Sequence, residues 1–568
     1  MATIVPRLYS NFRGVDFRGN EINLLRSPDS LNVWKDYKET ESIRTRPGME
    51  KKITTTHPVY GIYPYRGSLL VHTGTTLRKI EGDTETILFS YLTNRRSQAF
   101  ICDDVFYIID GTNYLKYDGN TIETVKGYVP TTTIARKPLG GGTTYEDVNM
   151  LSDYRKNSFL SDNIELHYFL DVTNIDKEKP KVTVNGEVID ETEYRVDYEL
   201  GKITFINKAP DAPQTPGQDN VIIEFKKTVK DENGRRKYRD IVRKCTMIQV
   251  FDNRVFFSGH PDYPNLMWNS SLHDPSYVSD LDYYHEGMDD AAITGLVAGN
   301  NALWVFREPS DTNTTIFYHT PSIDDEYGKI YPSSHSSVSV GCIGKAVNFN
   351  DDIVFFSERG MEGISGDVTT EQVVAHRSTV VDRKLIAEQE YKNMVTAEWE
   401  GYLLVFIGNK VYLADSRAMF QNENHYEYEW FYWELEYKVT CATVKDGILY
   451  LGTSDGVYTL TDTKANIESY WTTPIDKFST SKTNYANKLK TTNKRGCVVE
   501  ATGDISVYAK TEKTDFELIG EYTGVTDYFS SRIKRKKFKD LQLKFHSNTR
   551  FTLESVTIEA FIGGYIKR

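Results

Sequence analysis

Few residues in this 568-residue chain are spaced for chemistry. The eleven histidines form no HExxH and no close metal-ligand spacing. His260, His273 and His285 lie near Asp262, Asp274 and Glu286, which reads as loop residues before it reads as a metal site. Gly140-Gly141-Gly142-Thr143-Thr144 lacks the lysine and the strand–loop–helix setting of a phosphate-binding loop. Propeller glycosidases pair carboxylates across a channel. The acidic runs here, Asp289-Asp290 and Asp324-Asp325-Glu326, read as solvated loops. Ser454-Asp455-Gly456-Val457-Tyr458-Thr459 only partly echoes a sialidase box. Cys102, Cys245, Cys342, Cys441 and Cys497 are odd in number and widely spaced, with no CxxC, so they read as small core residues of a reducing compartment. These patterns predict no catalytic residue, no metal and no cofactor.

Two basic stretches and one aromatic run are candidates for binding. Arg235, Arg236, Lys237 and Arg239 form the first stretch, with Arg243 and Lys244 beyond; Lys534, Arg535, Lys536 and Lys537 form the second, inside 532–539. Either can meet acidic neighbours or nucleic-acid phosphates. The plainer reading is exposed loops and edge strands, where Lys discourages edge-to-edge aggregation. Tyr426, Tyr428, Trp430, Phe431, Tyr432 and Trp433 could make a sugar platform or an interface, but blade-core packing is the simpler expectation. The net charge of −12 argues against a sequence-reading DNA binder and is compatible with a surface past which DNA slides.

What would position these residues is a β framework. The 38 Tyr and 38 Gly, with abundant Thr and Val, suit half-buried pleated strands joined by tight turns. One unit recurs seven times: strand, two-residue polar turn, strand, second turn, strand. The first turns read Arg66-Gly67, Asp103-Asp104, Asp252-Asn253, Asn300-Asn301, Asp351-Asp352, Glu400-Gly401 and Asp446-Gly447, residues that tolerate positive φ. The stretches 62–128 and 240–462 hold about six or seven propeller blades at ~40–50 residues each; a pair of β-sandwiches is the competing architecture. Between them the pattern changes, with Lys181–Val184, an Asn185-Gly186 turn, Tyr194–Tyr198, Lys202–Ile206 and Val221–Lys227 as strands of an inserted immunoglobulin-like domain. Strands from about Trp471 onward lack the blade turns and predict a C-terminal β-sandwich. Helix is scarce; Arg383–Lys392 is the best candidate.

The fold expected is therefore all-β, a β-propeller with an inserted immunoglobulin-like β domain and a C-terminal β-sandwich. Its boundaries are 1–61 for an N-terminal segment that joins the propeller, 62–130 for the first blades, 131–239 for the insertion with linkers, 240–470 for the remaining blades and 471–568 for the sandwich. No signal-peptide core or bilayer-length apolar run is seen, which predicts a soluble protein made in the cytoplasm.

The opening residues carry a resemblance. Asn11-Phe12-Arg13-Gly14-Val15-Asp16 is followed by Ser27-Pro28-Asp29-Ser30-Leu31-Asn32-Val33 and by Arg44-Thr45-Arg46-Pro47-Gly48. Downstream, Asn253-Arg254-Val255-Phe256-Phe257-Ser258-Gly259 leads to Tyr263-Pro264-Asn265 and Trp268-Asn269-Ser270-Ser271. Residues 337–344 and Ile353–Ser357 with Gly360 add a further blade. This set resembles the tail tube, nozzle and stabilisation-type proteins of short-tailed phages. The resemblance implies a virion tail protein, assembled in the host cytoplasm as a homo-oligomeric ring, often a hexamer. It further implies contact with portal and adaptor proteins, attachment of fibres or a needle, and passage of viral DNA. It singles out Gly14, Asn32, Arg46, Pro47, Gly48, Arg254, Ser258, Gly259 and Trp268, with Pro47 and Gly48 expected to shape a turn. The alternative kept beside it is a carbohydrate-binding or glycan-cleaving β-propeller on the tail.

Overall fold

The computed structural model describes residues 3–19, 22–38, 42–238, 240–288, 291–310, 314–324, 328–336, 340–365, 373–422, 425–463, 466–534 and 537–565. The regular structure of the described chain is almost all strand, with two four-residue helices, Ile241–Lys244 and Asp382–Leu385, and a 3-10 turn at Tyr391–Asn393. The helix expected over 383–392 is thus two short pieces around a loop. It divides into two compact units: residues 1–87, 299–318 and 335–568, and residues 88–298 with 319–334.

The repeated element is the four-stranded antiparallel meander of a propeller blade. In the first unit one blade is Val59–Tyr65, Ser68–Thr73, Thr76–Glu81 and Thr84–Phe89. A second is Ala346–Phe349, Asp352–Ser357, Gly360–Ser365 and Val373–His376. A third is Val395–Trp399, Tyr402–Ile407, Lys410–Asn422 and His425–Glu434. The fourth, Cys441–Lys445, Ile448–Gly452 and Gly456–Thr461, takes its outer strand from far upstream, Gly48–Thr54. First strands neighbour first strands, Val395–Trp399 against Cys441–Lys445 and the latter against Val59–Tyr65. The second unit holds two more blades, Gln98–Cys102 to Ile122–Thr124 and Met247–Phe251 to Tyr283–His285, again with adjoining first strands. The strands Ile293–Gly299, Ala302–Arg307, Ile316–His319 and Ser333–His335 form a further four-stranded sheet.

The blade turns explain the register. Asp103-Asp104, Asp252-Asn253, Asn300-Asn301 and Glu400-Gly401 all have positive φ at both central residues, as a type I′ hairpin requires. One turn lies a residue earlier than the sequence suggests: Asn350-Asp351 takes the positive φ values, and Asp352 begins the next strand opposite Phe349. Three adjacent polar residues, Asn350, Asp351 and Asp352, made either frame readable; the buried run Ile353–Ser357 decides it, since a slip would move that strand's partners.

The inserted region in the second unit is a sandwich. A six-stranded sheet contains Thr131–Arg136, Tyr154–Phe159, Val221–Lys226 and Lys181–Val184, and a three-stranded sheet holds His167–Phe169, Lys202–Phe205 and Tyr194–Asp197. Phe159, Tyr168, Val182, Ile203, Val221 and Phe225 fill the space between them. The Asn185-Gly186 turn sits where expected, with φ of 50° and 89°.

The C-terminal β domain departs from its expected limits, and its described strands pair as one sheet where two were expected. Its ten-stranded sheet begins at Ser469–Thr472 and includes four N-terminal strands, Thr3–Tyr9, Ser30–Leu31, Val33–Lys35 and Ile43–Thr45. The segment 1–61 therefore serves two sheets, with 48–54 in a blade and the earlier strands in the ten-stranded sheet. Burial is the reason: Val5, Tyr9, Phe12, Val33, Trp34 and Ile43 enter one core with Trp471, Val499, Val507 and Phe545. The sheet is organised by one 24-residue strand, Lys488–Thr511. Cys497, Val499, Ala501, Ile505, Val507 and Ala509 point inward at every second position. Near Gly503, at φ 99°, the register shifts and the strand exchanges partners, from Phe551–Tyr565 and Tyr528–Ser531 to Leu541–Ser547 and Thr514–Val525.

Candidate functional site

The aromatic strand His425–Glu434 is the axis of the best-built site in the first unit. Its side chains alternate between two cores: Phe431 and Trp433 face one, Tyr428, Trp430 and Tyr432 the other. The aromatic run is thereby core, with Tyr426 alone exposed. A strand with both faces apolar still has backbone edges and charged neighbours to satisfy, and the opening segment of the chain supplies those partners.

Asn32 sits in the left-handed region, φ 56°, and both the oxygen and the nitrogen of its amide are bonded. Oδ1 accepts from Arg46 Nε at 2.9 Å and from the Glu434 backbone N–H at 2.8 Å, while Nδ2 donates to the Glu468 carbonyl at 2.9 Å. The Asn32 N–H donates to the Tyr432 carbonyl at 3.1 Å, and its carbonyl accepts from the Arg46 N–H at 2.8 Å. Arg46 is buried and donates from Nη1 to the Pro47 carbonyl and from Nη2 to the Glu434 carbonyl, with the Glu436 carboxylate 3.6 Å away. Burial lowers the pKa of its guanidinium, and Glu436 opposes that. Gly14 lies so close to the same strand that a Cβ there would meet the Trp430 carbonyl oxygen at 2.2 Å. Three of the motif residues thus converge on Trp430–Glu434. Gly48 does not shape a turn: it is the first residue of the closing strand, opposite Thr461, and Pro47 supplies the carbonyl that Arg46 holds.

Beside this joint is a buried ion pair that the sequence reading missed. Arg26 grips Glu429 through two bonds of 2.8 Å, with Phe420 stacked 3.9 Å from the guanidinium and Asp16 at 3.9 Å. Burial pushes the Glu429 pKa up, opposed by the hydrogen bond and charge of Arg26. Partners four hundred positions apart leave no spacing signal.

One cluster has the composition of a nucleophilic triad but different wiring. Ser378 Oγ donates to Asp382 Oδ1 at 2.6 Å; His376 Nε2 faces Asp382 at 2.5 Å and its Nδ1 faces Glu362 at 3.2 Å. A general base needs a ring nitrogen free to take the hydroxyl proton. Here both nitrogens are committed to carboxylates, so the cluster fixes charge. Burial lowers the His376 pKa, but Asp382 and Glu362 outweigh it and bring it to about 10, against 6.5 ordinarily. A pKa raised in the fold stabilises fully below the unfolded value and is lost as pH rises through the folded one. His376→Gln is expected to cost about 2–3 kcal/mol near pH 6, a difference that closes as pH climbs through about 10. Urea unfolding of both proteins at several pH values measures this; equal midpoints at pH 6 would contradict it.

The downstream motif residues are also structural. In the second unit Arg254 Nη1 donates to the Ser270 carbonyl at 2.9 Å, Ser258 Oγ to the Leu266 carbonyl at 2.8 Å, and Gly259 turns the chain at φ 76°. Trp268 is buried edge-on to His260 and Tyr263.

No protein-family model matches this chain, and no curated protein does. Among solved structures it is similar to BamB from Moraxella catarrhalis, at 12% identity and a TM-score of 0.33 over 73% of this chain and 97% of that one. It is similar to the computationally designed Ika8 protein, at 11% identity and a TM-score of 0.31 over 72% and 97%. A structure titled as a glycoside hydrolase aligns at 8% identity and a TM-score of 0.23 over 88% and 97%. Such scores carry no argument about function, and the fold rests on the sheets described above.

The basic stretches differ in how they are held. Arg236 is spent on Asp153 through bonds of 2.7 and 2.6 Å, and the Arg235 backbone N–H caps the Asp231 carboxylate; Lys237 lies 4.9 Å from the Tyr238 ring, and Arg239 is outside the described residues. In the C-terminal β domain Ile533 and Phe538 are buried on either side of exposed Lys534 and Lys537, and Phe538 pairs its backbone with Lys490 at 2.7 and 3.1 Å. The second stretch is therefore anchored by its apolar residues with positive charge turned outward; Arg535 and Lys536 lie outside the described residues, as do Asp289, Asp290, Asp325 and Glu326. The tri-glycine loop wraps Arg136, whose Nη1 donates to the Gly141 carbonyl at 2.6 Å. Among the described residues no group of three or more His, Cys, Asp or Glu is placed to hold a metal ion, and no helix is long and apolar enough to cross a membrane. The five cysteines are free thiols.

Proposed function

We propose that this chain is a structural virion protein of a phage tail, a nozzle or hub component below the portal–adaptor complex. The observation that carries the reading is the joint at Trp430–Glu434. The residues by which the opening resembles tail tube, nozzle and stabilisation-type proteins, Gly14, Asn32 and Arg46, are those that fasten the N-terminal segment to the long hairpin. A motif spent on mechanical connection suits a protein that bears load in an assembly. In this reading copies associate head to tail into a closed ring whose lumen continues the DNA ejection conduit. The net charge of −12 is compatible with passage of DNA without retention. Portal and adaptor proteins contact one side, and fibres or a needle attach outside. Exposed Lys534 offers a positive charge for an acidic neighbour. The ring assembles in the host cytoplasm and stays in the virion tail.

Cryo-electron microscopy of the particles tests this. A ring on the particle axis below the portal is expected. Density only at fibre tips, or none in the particle, would refute it.

A further inference from the structure

The first unit contains a small pocket with an aromatic floor and a charge-balanced rim that the joint and the proposed assembly do not use. It is an open pocket of about 240 Å³, lined by Trp34, Trp399, Pro47 and Leu460, with Asp36, Glu400 and Asp462 among its polar walls. Trp399 is half-buried and rigidly set. It stacks on the buried Trp34 at 5.5 Å between centroids and 18° between planes, and its Nε1 donates to the Gly447 carbonyl at 3.0 Å. An indole fixed on one face and by its N–H costs a ligand little ordering entropy.

The rim is polar yet electrically neutralised. Asp36 and Asp462 both pair with Arg44 at 3.0 Å, Asp462 also pairs with Arg550, and Glu400 pairs with Lys38 at 2.5 Å. A cation would have to displace these partners to gain a carboxylate. A neutral polyol need not. Each carboxylate has about four acceptor sites and each guanidinium five donors, so paired groups keep capacity for hydroxyls. Ring C–H groups of a sugar carry partial positive charge and suit the negative face of an indole. The volume is below the ~300–1,000 Å³ of drug-sized sites and matches one ring.

We infer that this pocket is a subsite for a single neutral pyranose, with Trp399 as the stacking platform and the Asp36–Arg44–Asp462 and Lys38–Glu400 pairs as the hydroxyl-binding rim. The inference does not depend on the tail assignment. The affinity for one ring is on the order of millimolar, enough for a glycan bound repeatedly by an oligomer.

The test is saturation-transfer NMR and tryptophan fluorescence on the full chain with glucose, galactose, rhamnose and N-acetylglucosamine separately, and tetramethylammonium as the cationic comparison. Saturable binding of at least one sugar is expected, weakened about tenfold or more in Trp399→Ala. Because that variant unstacks Trp34, Asp462→Asn, at a half-exposed position, is measured beside it and is expected to weaken binding at an unchanged thermal midpoint. No sugar binding by the folded chain, binding that neither variant alters, or tetramethylammonium bound in place of sugar would each overturn the inference.

Discussion

Asn32→Ala is expected to destabilise the first unit by about 3–5 kcal/mol, because it leaves a buried guanidinium and two backbone groups short of partners at once. Arg46 Nε, the Glu434 N–H and the Glu468 carbonyl all lose the amide they share. Alanine also tolerates the observed φ of 56° poorly, whereas asparagine adopts it readily. Asn32→Gly separates the two contributions: it restores the backbone freedom and still lacks the amide, so it should recover only a minor share of the loss. The measurement is chemical unfolding followed by tryptophan fluorescence, which reports on Trp430 and Trp433 beside the joint. A midpoint shift worth less than about 1 kcal/mol would mean that water replaces the amide and that the joint is not a principal fastening.

The second large effect is expected at Glu429. Glu429→Ala takes from buried Arg26 its two-bond partner and leaves Asp16, 3.9 Å away, as a weaker counter-charge, at a cost of about 3 kcal/mol. Replacing both partners by apolar residues, Arg26→Met with Glu429→Leu, should return most of that stability, because the desolvation cost disappears with the charges. Thermal melts of the single and double variants make the comparison, read as a coupling energy. A double variant no more stable than the single one would show that the pair also shapes the backbone, for example through the parallel contact of Gly14–Val15 with Arg26–Ser27.

These two sites show how much the sequence revealed. The blades were legible because their turns are chemically constrained: Asp252-Asn253 or Asn300-Asn301 between apolar strands has few alternatives. The inserted sandwich was legible through Asn185-Gly186 and alternating strands such as Val221–Lys226. The N-terminal strands were not, since Ser30–Leu31 and Val33–Lys35 are too short to show a period and are held by a sheet made some four hundred residues later. The same separation hid Arg26–Glu429. Asn32 and Arg46 were found only because the opening resembles a known family; their spacing alone gave no hint that one side chain holds the other. The basic residues at 235–239 and 534–537 were visible as charge, but not that Arg236 is already occupied while Ile533 and Phe538 pin the second run.

The strand pairings at the two ends of the chain bear on how it is made. Thr3 faces Ile562 across one ladder, and Gly48 faces Thr461 across another. On the ribosome, the first strands emerge hundreds of residues before their partners exist and must wait as unpaired β edges, the form of chain most prone to aggregate. Ladders that join residues more than four hundred positions apart close only after the later strand has been made, so these two sheets are sealed late rather than strand by strand.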